Sequence, residues 1–373
     1  MVESKRMQIA LIAVFLSLIC LPYPLSGLVG RVPDSEVEKI ENRRLAKKPE
    51  LSMDSLLDFP DEYTAYFNDH IPFRLPLVQT CSEIEYYLFR TPINNHVIAG
   101  KDGWLFYSNR KDGDSIGCYK GTLLFSQEEL EKIASNLMHS KKKLKSKGIE
   151  FVLFIPPNKE RVYPDKMPDY FGEPAVQNRV AQLVEYLRDN TDLTVVYPFD
   201  KLKEARSETP QYDIYWQTDT HWNELGAYIG ACELLKPLGI SLPDYREPSV
   251  EIVSSEKTVP GDLESYLFLG GKMNSGVDYT IAGLDGKNYV KDEWQFEQIY
   301  RAHSPEGDAR KLFILRDSFC DSMADTIAPQ FADSVMVYHH YYKNEMVMKE
   351  RPDIFVYEVA ERYLQELLDF EYR

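Results

Sequence analysis

The chain has 373 residues, against a typical domain of roughly 100–150, so it holds two units or one large α/β domain. Hydrophobic residues make up 44% and charged residues 27%, a balance that excludes a wholly disordered chain, a collagen and a multispanning membrane protein. Lys and Arg number 43 against 59 Asp and Glu, leaving −16; such a charge repels phosphate backbones and sets nucleic acid aside as a main partner.

Lys5 and Arg6 precede an apolar run from Ile9 to Leu21, in which Ser17 is the clearly polar member. A basic start before a short apolar core is a secretory signal feature. Extended through Leu28, the segment is also long enough to span about 30 Å of hydrocarbon, although Pro22 and Pro24 disturb a helix there. No A-x-A cleavage site follows, and Leu18-Ile19 before Cys20 make a poor lipidation site. Residues 1–30 are read as an uncleaved signal anchor, with a cleaved signal as the alternative. Either reading puts the body outside the cytoplasm, anchored in the cytoplasmic membrane or secreted.

Residues 31–60 are charged and contain proline, as a stalk or linker would. Residues 61–89 have a helical, aromatic pattern broken at Pro72 and Pro76. Gly100 to Tyr107 is a turn followed by an aromatic strand. Ser126 with Glu129 makes a capping box, which predicts a helix to about Lys147.

A βα rhythm then begins. Phe151–Ile155 is a continuous apolar run of the kind buried on both faces of a parallel sheet. Pro174–Asn190 has helical periodicity, Leu193–Tyr197 is a second strand and Trp222–Leu235 a helix. Residues 243–310 break the rhythm with turn signals at Pro260-Gly261, Gly270-Gly271 and Asp285-Gly286, and are expected to form an irregular, β-rich insertion. Leu312–Leu315, Ser334–Tyr338 and Ile354–Val359 complete the strands. Alternating strands and helices predict an α/β fold with a parallel sheet covered on both faces, occupying residues 61–373. Of the five cysteines, none forms CxxC; a Cys81–Cys118 disulfide is open.

Three segments fall at strand ends or in connecting loops, where open α/β sheets build sites: Pro156–Arg161, Thr218–Asn223 and Arg316–Phe319. Ser318 in a strand-to-helix turn presents its hydroxyl to the crevice and its amide to a developing oxyanion. A serine hydroxyl needs a base, and His221 is the candidate. Asp219, two residues earlier, can hold the imidazole in one tautomer. The same residues have plainer uses. Asp219 and Ser318 can cap helices, and His221 can be a surface residue of a first turn. Asp219 and His221 can also ligate zinc with His339 or His340, although no metal motif supports that use.

Several segments, in order, resemble the DHHW and AlgX/AlgJ group of bacterial proteins. They are Glu41-Asn42-Arg43-Arg44, Phe67-Asn68-Asp69-His70 with Phe73-Arg74, Gly100–Tyr107, Pro156–Arg161, Thr218–Asn223, Gly261-Asp262-Leu263, Asp317-Ser318-Phe319 and Glu361-Arg362. The resemblance implies a three-layer α/β/α SGNH-hydrolase-like domain with Asp-x-His ahead of Ser, a permuted motif order. It implies a triad of Ser318, His221 and Asp219, and O-acetylation of a polysaccharide outside the cytoplasmic membrane. It also implies a membrane-bound acyltransferase as the source of acetyl groups. Neither a metal nor an organic cofactor is called for. Arg-Asp-Ser-Phe stands where common SGNH enzymes have Gly-Asp-Ser, and no carbohydrate-binding module is in view, so alginate itself is an open question as acceptor. Asn158 and Lys159 are candidates to donate to the oxyanion or hold the sugar, Trp222 to stack on it and Arg362 to bind an acidic acceptor. An acetylesterase, or an inert carbohydrate-binding or scaffold protein, is the alternative.

Overall fold

The structure is a computed structural model that describes residues 2–29, 32–41, 43–53, 55–89, 91, 95–257, 259–269, 271–282 and 288–372. Asn42 of the first matched segment, Gly270 and the Asp285-Gly286 turn signal lie outside the described residues. The chain divides into two compact units, residues 1–94 with 265–270, and residues 95–264 with 271–373.

The first unit is helical. Helices run over Val2–Cys20, Pro22–Val29, Asp34–Glu41, Phe59–Asp69 and Arg74–Glu83. Among the described residues, no helix is long and apolar enough to cross a membrane. Part of the expected stalk is ordered: Val37 and Leu45 pack with Leu75 in a small core. Arg43 binds Asp69 through two hydrogen bonds of 2.9 and 2.6 Å, and the Ala46 amide adds a third at 2.8 Å. The hydrogen bond from Arg43 is the main reason the Asp69 carboxyl is lowered to about 2. Pro76 does not interrupt its helix as expected. It lies in the first turn, where its missing N–H has no intrahelical acceptor to lose.

The second unit is built on a seven-stranded sheet. Its strands are β1 (Glu150–Phe154), β2 (Thr194–Val196), β3 (Val290–Gln295), β4 (Ile299–His303), β5 (Asp308–Arg316), β6 (Phe331–Tyr338) and β7 (Ile354–Glu358), in spatial order β2-β1-β7-β5-β6-β4-β3. The first five in that order are parallel; β4 and β3 close one side as antiparallel neighbours. The predicted strands are all present. The expected insertion is more regular than its turn signals suggested: it contributes β3 and β4 to the main sheet and forms a separate hairpin, Glu251–Glu256 with Val277–Ala282.

Alternation along the strands explains the three layers. Phe151, Leu153, Phe313, Leu315, Phe355 and Tyr357 face one core, with Leu130, Ile133 and Leu137 of helix α1 (Gln127–Lys145) and Val180, Leu183 and Leu187 of α2 (Arg179–Asn190). Val152, Phe154, Leu312, Ile314, Ile354 and Val356 face the other, with Leu225, Tyr228 and Ala231 of α3 (Glu224–Leu235). The capping box at Ser126 and Glu129 forms as read from the sequence. All five cysteines are free thiols.

Register sets up the site. Glu358 lies opposite Phe154, and Tyr357 opposite Leu315, so β1, β7 and β5 end level with one another. Phe313 lies at the centre of this sheet, stacked on Phe355 at 5.6 Å. Phe313→Ala is expected to lower unfolding free energy by about 3–5 kcal/mol, read from the denaturant midpoint, because it removes a buried ring and leaves a cavity.

Candidate active site

The nucleophile turn follows β5 directly. Asp317 has extended backbone angles and accepts the Phe319 amide at 2.9 Å, capping a short 3₁₀ turn over Ser318–Cys320. Its other carboxylate oxygen accepts the Ala360 amide at 2.8 Å, and its own amide donates to Glu358 at 2.6 Å. The turn is thereby tied to the end of β7. Asp317, not Ser318, is the cap, which leaves the Ser318 hydroxyl free for other contacts.

The acid–base loop precedes α3. Its N-cap is Asn223, whose side chain accepts the Gly226 amide at 3.1 Å, so Asp219 is not a helix cap. Buried Lys159 donates to the carbonyls of Trp216, Gln217 and Asp219 at 2.8, 2.9 and 2.8 Å. Gly261 passes so near that a Cβ there would stand 2.1 Å from the Thr218 carbonyl oxygen. Asp262 accepts the Thr220 amide at 2.8 Å and the Thr220 hydroxyl at 2.6 Å.

These two segments bring the three predicted residues together. Ser318 Oγ lies 2.7 Å from His221 Nε2, and His221 Nδ1 lies 2.7 Å from Asp219 Oδ1. The same carboxylate oxygen accepts the His221 amide at 3.1 Å, so one oxygen fixes both backbone and ring. Burial opposes charge on Asp219, but the His221 hydrogen bond and charge, with Lys257, hold its carboxyl well below the usual range. Burial likewise opposes the imidazolium, yet the Asp219 hydrogen bond and charge, and then Asp262, keep the His221 pKa above its ordinary 6.5. This is the geometry that a serine nucleophile, its base and an orienting carboxylate require.

The other candidates fall elsewhere. Trp222 is fully buried and cannot stack on a sugar. Its Nε1 donates to the Phe319 carbonyl at 2.9 Å and its ring meets the Phe319 edge, joining α3 to the nucleophile turn. Lys159 holds the loop rather than a ligand, with all three N–H bonds engaged. Burial pushes its ammonium down to about 7, against the charges of Asp219, Asp262 and Glu160. Asn158 is buried; its amide donates to Glu361, and its carboxamide atoms have no partner among the described residues. Arg362 forms no ion pair among the described residues, and its guanidinium lies over the rings of Tyr107, Phe319 and Tyr363.

Asp219, His221 and Asp262 present ligand atoms within 4.8 Å of one another, but His339 and His340 do not join them among the described residues. The carboxylate oxygens there already accept the Thr220 hydroxyl and the amides of Thr220, His221 and Asp262, and Lys257 lies 3.4 Å from Asp219. That donor set suits a held imidazole better than a cation. Lys257 and Asp317 were not singled out from the sequence as site residues. Asp317 could have been found as the residue before the nucleophile; for Lys257 the sequence carries no signal.

Comparison with known proteins agrees with this architecture. Residues 97–276 match the family described as SGNH hydrolase-like domain, acetyltransferase AlgX. Among curated relatives, the probable alginate O-acetylase AlgJ of Pseudomonas syringae pv. tomato is 25% identical over 204 residues, covering 54% of this chain and 49% of its own. That of Pseudomonas fluorescens is 27% identical over 207 residues, covering 54% and 48%. The chain thus spans about half the length of the curated relatives it matches. Among solved structures, Bacillus cereus PatB1 superposes with a TM-score of 0.55 at 13% identity, over 74% of this chain and all of that one. A DHHW family protein from Eubacterium siraeum does so at 0.52 and 13%, over 74% and 98%. The chain carries an SGNH hydrolase-like fold and resembles the DHHW and AlgX/AlgJ proteins.

The raised His221 pKa has a definite sign. The charged pair with Asp219 stabilises the fold in full below the ordinary value, and this contribution fades as pH rises through the folded-state value. NMR titration of the imidazole is expected to place His221 above 6.5, and Asp219→Asn to move it down by about one unit or more. An unmoved midpoint in that variant would mean that Asp219 does not set the ring's charge.

Proposed function

We propose that this protein is a serine-dependent acyltransferase that O-acetylates a polysaccharide through an acetyl-Ser318 intermediate. The observation that carries the reading is the continuous relay from Ser318 through His221 to Asp219, at 2.7 Å in both links, on an SGNH-like fold. The names of the AlgJ relatives, probable alginate O-acetylases, support the reaction class. An inert binding module has no need to keep the base within reach of the hydroxyl.

The chemistry follows from the geometry. Ser318 Oγ attacks the acetyl carbonyl while His221 Nε2 takes its proton. Asp219 stays ionised and stabilises the imidazolium. The Ser318 amide donates to the oxyanion of the tetrahedral intermediate. The intermediate collapses, His221 returns the proton to the leaving group, and an acetyl ester remains on Ser318. A sugar hydroxyl, deprotonated by His221, attacks that ester and regenerates the serine. Water in place of the sugar makes the same site an acetylesterase. None of these steps requires a metal or organic cofactor.

The location we propose is outside the cytoplasmic membrane, supported by the basic start before the apolar run Ile9–Leu21, a pattern of secretory signals. Acetyl groups must then cross that membrane, so a membrane-bound acyltransferase is the partner this reading requires.

The full chain is expected to release acetate from a chromogenic acetyl ester. Ser318→Ala and His221→Ala should each reduce that rate by about 10³-fold or more while circular dichroism stays unchanged. Equal rates in wild type and both folded variants would remove the serine mechanism.

A further inference from the structure

We propose that Lys257 is a positioning residue that sets how readily His221 gives up its charge, by neutralising the outer oxygen of Asp219; this rests on the serine relay proposed above. Lys257 directly follows the hairpin strand Glu251–Glu256, and its side chain is 8% exposed. Its Nζ lies 3.4 Å from Asp219 Oδ2, the oxygen turned away from His221, and 3.5 Å from the centre of the Trp216 ring. Trp216 is itself held by a 2.7 Å hydrogen bond from Nε1 to Asp278 on the opposite strand of the same hairpin. One hairpin therefore supplies both the cation and the anchor of the ring beneath it.

The relay creates the need for such a cation. Two carboxylates face His221 Nδ1, Asp219 at 2.7 Å and Asp262 at 3.8 Å. Together they favour the imidazolium, which cannot accept the Ser318 proton at Nε2. The remaining groups around the ring are the Thr220 hydroxyl at 3.3 Å from Nδ1, Ser318 at Nε2, the Phe319 ring at 4.9 Å, and the charges of Arg362 and Asp321. Lys159 bonds the Asp219 carbonyl, not its carboxylate. Lys257 is thus the ammonium applied to the carboxylate itself. It draws negative charge away from the imidazole without touching it, which favours the neutral base at moderate pH.

The test compares wild type, Lys257→Met and Lys257→Arg as full chains, by NMR titration of His221 and by the pH dependence of kcat/KM on an acetyl ester. In Lys257→Met the His221 midpoint should rise by about one unit, with kcat/KM down on the order of tenfold at pH 6 and recovered near pH 9. Lys257→Arg, which keeps the charge, should hold the wild-type midpoint. A midpoint unmoved in folded Lys257→Met, with kcat/KM lowered equally at every pH, would overturn the proposal and leave Lys257 a packing role. If Lys257→Met does not fold, Lys257→Gln provides the same comparison. Wild type without Ser318-dependent turnover would sink the serine mechanism alone, because the NMR titration judges Lys257 independently of activity.

Discussion

The buried ammonium of Lys159 is the contact on which the acid–base half of the site depends. It lies at the start of the short helix Lys159–Val162 that follows β1 and binds three carbonyls of a loop 57 to 60 residues further along the chain. Three acceptors match three N–H bonds only when the amine is charged, so the three contacts are complete only in the ammonium form. Burial works against that charge and lowers the ammonium to about 7, a fall that Asp219, Asp262 and Glu160 only partly offset. The rings of Trp104 and Phe106, about 5 Å away, face the same cation. Without the ammonium, the carbonyls of Trp216 and Asp219 would lose this donor, at roughly 1–3 kcal/mol for each one left buried, while that of Gln217 keeps the Leu105 amide at 2.9 Å. The loop that carries Asp219 and His221 would then keep the Tyr215 hydroxyl on the Pro157 carbonyl and the Leu105 amide on Gln217 as ties on this side.

The nucleophile half follows a different logic. Asp317 connects the amides of Phe319 and Ala360, and so links the turn after β5 to the end of β7. The two halves meet at Trp222, whose indole bonds the Phe319 carbonyl while its neighbour His221 reaches Ser318. Buried Trp222 beside His221, facing Phe319 beside Ser318, fixes the spacing of imidazole and hydroxyl through the core. The charges are arranged around that spacing. Carboxylates collect at Nδ1 of the imidazole, Lys257 sits on the far side of Asp219, and Nε2 faces the hydroxyl.

Much of the fold was legible because parallel strands buried on both faces are continuous apolar runs. Phe151–Ile155 and Ile354–Val359 stand out from their flanks, and Ser126 with Glu129 announces its helix. The region over 243–310 was harder. Its edge strand β3 is largely exposed and polar, and β4 pairs antiparallel with a strand formed later in the chain, so local pattern did not mark them as part of the main sheet. Among site residues, Ser318, His221 and Asp219 could be read from residue type and position at strand ends. The roles of Trp222 and Lys159 could not, because one side chain may stack on a ligand or fill a core, and only burial distinguishes the two.

The sequence by itself determined the α/β class, the order of the parallel strands along the chain and the identity of a serine, a histidine and an aspartate able to work together. These follow from local periodicity and from the chemistry of single side chains. Only the tertiary structure decided which groups surround them. Lys257 reaches Asp219 across 38 residues, and Asp317 meets Ala360 across 43. Such pairs leave no periodic trace, because their spacing reflects where separate elements dock rather than the repeat of either one. The electrostatic setting of a site is therefore written in packing, while its reacting groups are written in sequence.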